Sequence, residues 1–396
     1  MQTFVFVINS LGSGGAERVL VNLLNAMGGE RRSRIDVHVI LLDREPEMRE
    51  LPAWVHKHVL DSRRSLARSV AGLRKELGRM EPDLVVSFLV RANIASALVC
   101  RWLDIPCVVC ERMHLSSHLE GRYTGARLAL AKILPRVAYR LAGRAVGVSQ
   151  GVSDDMIEAF GADPARTLTI VNPYDLDAIR AEGARPPEFH LPPRFIVAVG
   201  RLEPSKAMHV LIDGYLQSGI EPDLVILGEG SCREALQARI NAQGASGRIH
   251  MLGYAANPFA ITARAEAYVS ASTNEGFPNA MVEAMVLGLP VIATDCRSGP
   301  SEILAERPRL NQREVDYAEH GILVPEGDPA ALAEALRSIS HDPARRAHYS
   351  AKARARSADF SSDVIAVAMW SMLESQARVP TRRRTRRDAG GRYRPS

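Results

Sequence analysis

The chain has 396 residues, with 50 Lys+Arg against 45 Asp+Glu and a net charge of +5. The surplus is local: from Ala377 to Ser396 there are eight Arg and one acid, Asp388, a net of +7, so residues 1–376 carry −2. That division speaks against a compact nucleic-acid-binding domain, whose basic surface would lie on the fold itself.

The N-terminus, MQTFVFVINS, lacks a basic n-region and reads as a strand rather than a signal peptide. No apolar run approaches the roughly 20 residues needed to span a bilayer. In the first half, apolar β-branched runs occur at 3–9, 35–42, 83–88, 105–110, 145–149 and 167–171. In the second half they occur at 195–200, 223–228, 249–253, 267–272, 289–295 and 321–325. Amphipathic stretches separate most of them. Strands this apolar, joined by helical crossovers, predict parallel sheets covered on both faces. The pattern pauses at RAEGARPPEFHLPPR (180–194), which reads as a linker. The predicted division is an α/β domain over 1–183, a linker over 184–193 and a second α/β domain over 194–360. A helix over 361–376, able to pack back on the first domain, and a basic, disordered tail over 377–396 follow. Two doubly wound domains of this kind bind ligands in a cleft at the carboxyl ends of their strands.

Of the five Cys, Cys107 and Cys110 form a C-x-x-C inside an apolar strand, where an offset of three puts them on opposite faces. With no second C-x-x-C they read as structural thiols, reduced as in a cytoplasmic protein. His56 and His58 are too few for a metal site.

Three segments can carry chemistry. FVINSLGSGGAERVLVNLL (6–24) is a strand, a Gly-rich turn and a helix, whose N–H groups suit a phosphate or a sugar hydroxyl. Gly12 and Gly14 begin a dinucleotide fingerprint, but Glu17 breaks it; a tight turn without ligand fits as well. In VAVGRLEPSKAMHVLIDGY (197–215) a strand ends at Gly200 and a helix is predicted from an N-cap near Ser205. Arg201 and Lys206 flank that loop and can hold a diphosphate, or stand as solvated surface charges. In ASTNEGFPNAMVEAMVLGLPVIATD (271–295), Glu275 lies in a loop after a strand and Glu283 about one turn into a helix begun near Asn279. The Gly276-Phe277-Pro278 turn can present N–H groups at the helix mouth. Carboxylates suit sugar and ribose hydroxyls; a glycosidase acid/base pair is the other chemical reading, and a structural helix carboxylate the plain one for Glu283.

Together these segments resemble the retaining GT-B glycosyltransferases of family four. The signature is Glu-x7-Glu in EGFPNAMVE (275–283), joined by GRLEPSK (200–206), LGEG (227–230) with Gly228, GPSEIL (299–304) and GILVP (321–325). SFLVRANIASALV (87–99), ERMHLSSH (111–118) and VNPYD (171–175) further resemble the bacterial branch that builds lipid-linked or surface glycans. The resemblance implies two Rossmann-like domains and a nucleotide-sugar donor, by default a UDP-sugar. It also implies retention at the anomeric carbon and no cofactor or bound metal. It implies that Arg201 and Lys206 bind the diphosphate, Glu283 the ribose, and Glu275 with the backbone of Gly276 to Asn279 the donor sugar. Gly14 and Gly15 would approach the donor from the other domain. His114 is the N-terminal catalytic candidate, although ERMH departs from the asparagine-rich version of that branch. Ala207 stands where the family usually has Gly, tolerable if φ is negative there.

From Gly121 to Gly147 there is no Asp or Glu, while Arg122, Arg127, Lys132, Arg136, Arg140 and Arg144 recur at four- to five-residue steps. The last four fall near one helical face, and Pro135 is expected to kink or divide the helix. A basic amphipathic face suits an anionic membrane surface; a solvated face over an ordinary core is the alternative. The expectation is a peripheral enzyme at the cytoplasmic face of the membrane, acting on a lipid-linked or glycan acceptor, with no nucleic-acid partner. The alternatives are a same-fold transferase with a soluble acceptor, or a catalytically weak scaffold subunit of a membrane glycan-synthesis complex.

Overall fold

The computed structural model describes residues 1–377 apart from 13, 310 and 312. The chain forms two compact units. The first contains β1 (Gln2–Ile8), β2 (Ile35–Leu41), β3 (His56–Val59), β4 (Leu84–Phe88), β5 (Cys107–Glu111), β6 (Arg144–Gly147) and β7 (Thr167–Thr169). Their order in the sheet is β3-β2-β1-β4-β5-β6-β7, and every pairing is parallel. Phe4 to Ile8 are all fully buried, because helices cover both faces of the sheet. The helix Gly15–Asn25 shows why: Ala16, Val19, Leu20, Leu23 and Leu24 share its buried side at helical spacing.

The second unit contains β8 (Phe195–Val199), β9 (Asp223–Leu227), β10 (Ile249–Gly253), β11 (Tyr268–Ser270), β12 (Val291–Thr294), β13 (Asp316–Tyr317) and β14 (Ile322–Val324). The order is β10-β9-β8-β11-β12-β14-β13, parallel except for the β13–β14 pair. In both sheets the order reverses beside the first strand of the unit, between β1 and β4 and between β8 and β11. Open α/β sheets bind ligands at such switch points.

The sequence reading missed β3 and β13. β3 is a polar edge strand, HKHV, without the apolar signature of the interior. Its register sets His56 opposite His38. His38 Nδ1 lies 2.9 Å from His58 Nε2, and Asp36 contacts both His38 and His56.

The units do not divide at the Pro-rich segment. Residues 174–361 form one unit and 1–173 the other, completed by residues from Ser362 on. Tyr174 is buried in the second unit, where its N–H donates to Phe360 O at 3.0 Å and its hydroxyl donates to Asn279 Oδ1 at 2.5 Å. The helix Leu176–Ala184 is built into the same unit through Asn257 Nδ2 to Glu182 O at 3.0 Å and Arg264 Nη1 to Gly183 O at 3.3 Å. The segment expected as a linker at 184–193 therefore joins two elements of one unit.

The last helix, Ser362–Ala377, completes the first unit. Trp370 is fully buried there, stacked on Phe4 at 6.5 Å and edge-on to Phe6 at 5.7 Å. Its Nε1–H donates to Leu23 O at 3.0 Å, and Arg31 pairs with Glu374 at 2.6 Å. The Arg-rich tail lies outside the described residues from 378 on. All three Trp of the chain (54, 102 and 370) belong to the first unit, so tryptophan fluorescence reports that unit alone. Trp370→Ala is expected to lower the stability of the first unit by about 3–5 kcal/mol, read from the remaining two Trp in urea unfolding. A loss below about 1 kcal/mol would show that the helix is not part of the first core.

Candidate active site

The carboxyl ends of β8, β9 and β11 meet at the switch point of the second sheet. Backbone hydrogen bonds stitch these loops together: Gly200 N to Leu227 O at 3.0 Å, Leu202 N to Glu229 O at 2.9 Å and Gly228 N to Gly253 O at 2.7 Å. Gly228 has φ +140, and a Cβ there would collide with the Gly200 carbonyl. This close approach of two backbones is why the position takes Gly.

Lys206 and Glu275, 69 positions apart in sequence, form an ion pair of 2.5 Å at this point. Thr273 N–H donating to Ser205 O at 2.9 Å fixes the two loops against each other. Arg201 is exposed, and its guanidinium has no hydrogen bond or ion pair among the described residues. Glu283 is buried in the helix Asn279–Val286. The buried Tyr268 hydroxyl is pushed above its usual range by burial and then by the charges of Glu275 and Glu283. Cys296 is likewise raised by burial and by Glu275.

The Gly276-Phe277-Pro278 turn is clamped. Ser298 Oγ donates to Glu275 O at 2.6 Å, and Phe277 packs edge-on to Phe360 at 5.4 Å. Pro278 starts the helix with no side-chain cap, and its carbonyl accepts from Met281 N–H at 3.1 Å and Val282 N–H at 3.3 Å. The Asn274 Oδ1 atom is buried without a partner among the described residues. It is an acceptor that the sequence reading overlooked, as is Asn9 Oδ1 at the end of β1.

Two local expectations change. The residues after Gly200 do not start a helix at Ser205. Pro204–Lys206 is a 3-10 turn, and the helix Met208–Ser218 begins beyond Ala207. Ala207 has φ +42, not the negative value that would suit its methyl group. Its left-handed conformation turns the chain after Lys206, and an alanine there carries strain that a glycine would not.

In the first unit, Gly14 caps the helix Gly15–Asn25 with no side-chain bond. A Cβ at Gly14 would run into the Glu17 carboxylate, so the residue that breaks the dinucleotide fingerprint lies against this helix mouth. Arg112 stacks over Phe88 at 4.9 Å and donates to Asn172 Oδ1 at 3.1 Å. His114 caps the helix Leu115–Glu120, its Nδ1 accepting from Ser117 N–H at 3.3 Å.

Glu111, also overlooked in the sequence, is fully buried at the end of β5. It accepts from Tyr139 Oη–H at 2.7 Å and from Arg112 N–H at 3.0 Å. Burial pushes its carboxyl up to about 7 against these hydrogen bonds, with the charge of Asp155 adding to the rise.

The basic stretch is less regular than its spacing suggests. The helices Gly125–Ala131 and Ile133–Leu141 break at Lys132, three residues before Pro135. Pro135 sits in a first turn, where its missing N–H costs no bond. Arg144 begins β6, so it leaves the helical face, and only Arg136 and Arg140 share the second helix. Lys132 pairs with Glu120 at 3.4 Å, and Arg136 donates to Ala159 O at 3.1 Å. Arg122 and Arg127 are exposed. So are Leu130, Ile133, Leu134 and Val137, which makes this surface apolar as well as basic.

No group of three or more His, Cys, Asp or Glu among the described residues has the geometry to hold a metal ion. No described helix is long and apolar enough to cross a membrane.

Two α/β sheets, the second with Lys206 and Glu275 paired at its switch point, are the architecture that comparison with known proteins assigns to a class. Residues 181–356 match the family Glycosyl transferases group 1, and residues 13–178 match Glycosyltransferase Family 4. One relative is the Campylobacter jejuni N-acetylgalactosamine-N,N'-diacetylbacillosaminyl-diphospho-undecaprenol 4-alpha-N-acetylgalactosaminyltransferase. It is 27% identical over 92% of this chain and 98% of its own length. A second enzyme of that organism, GalNAc-alpha-(1->4)-GalNAc-alpha-(1->3)-diNAcBac-PP-undecaprenol alpha-1,4-N-acetyl-D-galactosaminyltransferase, is 25% identical over 91% of this chain and 95% of its own. Among solved structures, Anabaena Alr3699/HepE in complex with UDP-glucose superposes with a TM-score of 0.73, at 21% identity, covering 95% of this chain and 100% of that one. The protein is a glycosyltransferase of GT-B fold. It belongs to the group 1 glycosyl transferases, with a family 4 domain as its first half.

The raised carboxyl of Glu111 has a measurable consequence. A folded-state value of about 7 lies above the ordinary 4.5. Its contribution is therefore full below pH 4.5 and is lost as pH rises through 7. The total is about 3 kcal/mol, at ~1.4 kcal/mol per unit. Urea unfolding of the first unit, followed by tryptophan fluorescence, is expected to weaken by about that much from pH 4.5 to 8.5 in excess of Glu111→Gln. Parallel profiles for the two proteins would show that Glu111 ionises normally.

Proposed function

We propose that the protein transfers a hexose or N-acetylhexosamine from a nucleotide sugar, UDP-linked, to a lipid-linked or surface-glycan acceptor, with retention at the anomeric carbon. The observation that carries the reading is the convergence of Lys206, Glu275 and the unpaired Arg201 at the switch point of the second sheet. A sugar diphosphate leaving group gains negative charge as the glycosidic bond breaks. Two cations held beside it stabilise that charge where it develops. In this reading Arg201 and Lys206 hold the diphosphate and Glu283 accepts from the ribose hydroxyls. Glu275, with Asn274 Oδ1 and the backbone at the mouth of the Asn279–Val286 helix, orients the sugar. The diphosphate competes with Glu275 for Lys206, so donor binding releases this carboxylate toward the sugar hydroxyls. No step in this scheme calls for a bound metal.

The lipid-linked acceptor is supported by the two Campylobacter relatives, whose names place diphospho-undecaprenol or PP-undecaprenol in their substrates. It is supported also by the exposed apolar and basic surface over 122–140. Leu130, Ile133, Leu134 and Val137 suit the acyl boundary of a membrane, and Arg122 and Arg127 suit its anionic headgroups. The enzyme then works as a peripheral protein at the cytoplasmic face.

A panel of nucleotide sugars incubated with a bacterial membrane lipid extract tests the transfer. Glu275→Ala is expected to cut turnover at least about 100-fold, and Lys206→Ala to weaken UDP binding about tenfold or more, measured by calorimetry. Equal transfer by wild type and Glu275→Ala from every donor would sink the reading. For the membrane surface, the double substitution Leu130→Glu with Leu134→Glu is expected to abolish co-sedimentation with phosphatidylglycerol vesicles and leave UDP affinity intact. Unchanged sedimentation would remove this surface from the account.

A further inference from the structure

The donor-side loops use none of the eight Arg in residues 378–396, whose one acid is Asp388. These residues follow Ala377, the end of the last helix, so the position of that end decides what the arginines can reach. Gln376 and Ala377 are buried in the first unit. A Cβ at Gly143 would lie 2.6 Å from Gln376 Nε2 and 3.3 Å from Cys107 O. The helix therefore ends against the turn between the helix Ile133–Leu141 and β6. Arg378 is two residues beyond Gln376, within about 7 Å of chain.

That turn borders the apolar and basic surface over 122–140. Arg140 stands in the last turn of the helix Ile133–Leu141 and Arg144 opens β6, one on each side of Gly143. Their guanidinium groups, like those of Arg122 and Arg127, have no hydrogen bond or ion pair among the described residues. The exposed Ile133, Leu134 and Val137 share the helix with Arg140. At 1.5 Å per residue that helix spans about 13 Å. The ten residues from Arg378 to Arg387 hold six of the eight Arg and extend to at most about 34 Å. Six cations can thus stand beside this surface, and no Asp or Glu between Gly121 and Gly147 competes for them.

We propose that the Arg-rich segment is an electrostatic tether that contacts the same anionic bilayer as the surface over 122–140, so that two weak signals hold the protein at once. This rests on the membrane-surface reading above and adds a second element to it. Aliphatic side chains at the acyl boundary, or cations at the headgroups, bind only marginally when alone. Joined on one chain, the second contact forms at the high effective concentration that the first creates. The surroundings of the exit favour a bilayer over a nucleic acid. A single strand offers phosphates to Arg but rewards stacking aromatic rings. The exposed apolar side chains of the helix beside the exit are aliphatic, and a bilayer rewards these together with the cations.

Flotation of the full chain with vesicles of one part phosphatidylglycerol to three of phosphatidylcholine tests the tether. One variant deletes 378–396, and another combines Arg382→Gln, Arg383→Gln, Arg384→Gln, Arg386→Gln and Arg387→Gln. Each is expected to weaken binding at least about tenfold and to flatten its dependence on salt, with UDP affinity intact. Lys at the same five positions should keep binding within about twofold, because headgroups read the charge and not the guanidinium fork. Unchanged vesicle affinity in the deletion overturns the proposal. So does tail-dependent binding of a single-stranded oligonucleotide that is tighter than vesicle binding at physiological salt, which would assign the segment to nucleic acid. Loss in the deletion beside wild-type binding by Leu130→Glu with Leu134→Glu would overturn the shared contact, since the tether would then act apart from that surface. Vesicle binding is read without donor or acceptor, so it stands or falls separately from transfer, which Glu275→Ala reports.

Discussion

A parallel strand buried on both faces has only its ends free for polar chemistry. Both sheets obey that constraint. The side chains of β1, β4, β8 and β9 are committed to the cores, so each strand delivers its polar residues just past its carboxyl end. Arg201, Glu275 and the Gly-rich turn after β1 occupy such positions. The order reversal beside β1 and β8 opens a gap between neighbouring crossovers, where open α/β sheets bind ligands. The pairing of Lys206 with Glu275 across 69 positions follows from sheet order, not from local sequence.

The two units treat charge differently. In the second, cations and carboxylates meet in partly accessible loops, where a charged ligand can exchange partners with them. In the first, Glu111 and Asp155 are taken out of water and answered by Tyr139, backbone N–H groups and an imidazole. Partly accessible pairs suit binding and release. Buried acids held by hydrogen bonds suit a fixed scaffold instead.

Much of this was readable in the sequence. Twelve of the fourteen strands announce themselves as apolar runs, and EGFPNAMVE with GRLEPSK marks the loops that meet at the switch point of the second sheet. What escaped depends on tertiary context. β3 is polar because it is an edge. Glu111 and Asp155 are single acids whose burial no local pattern reveals. The left-handed Ala207 breaks the usual preference for glycine, so its sequence pointed the wrong way. Arg144 continues a four-residue spacing past the point where its helix has ended. The Pro-rich stretch resembles a linker by composition, but contacts around Tyr174 and the helix Leu176–Ala184 place the break earlier.

The return of the last helix to the first unit orders events during synthesis. Residues 1–173 are made before the second unit, yet their hydrophobic core lacks Ala366, Met369, Trp370 and Leu373 until residues 362–377 have followed. The second unit, contiguous from Tyr174 to Ser361, has every element of its own core well before then. The half made first is therefore completed last. Until residue 377 emerges, the apolar pocket that receives Trp370 is exposed surface, which chaperones recognise and aggregation exploits.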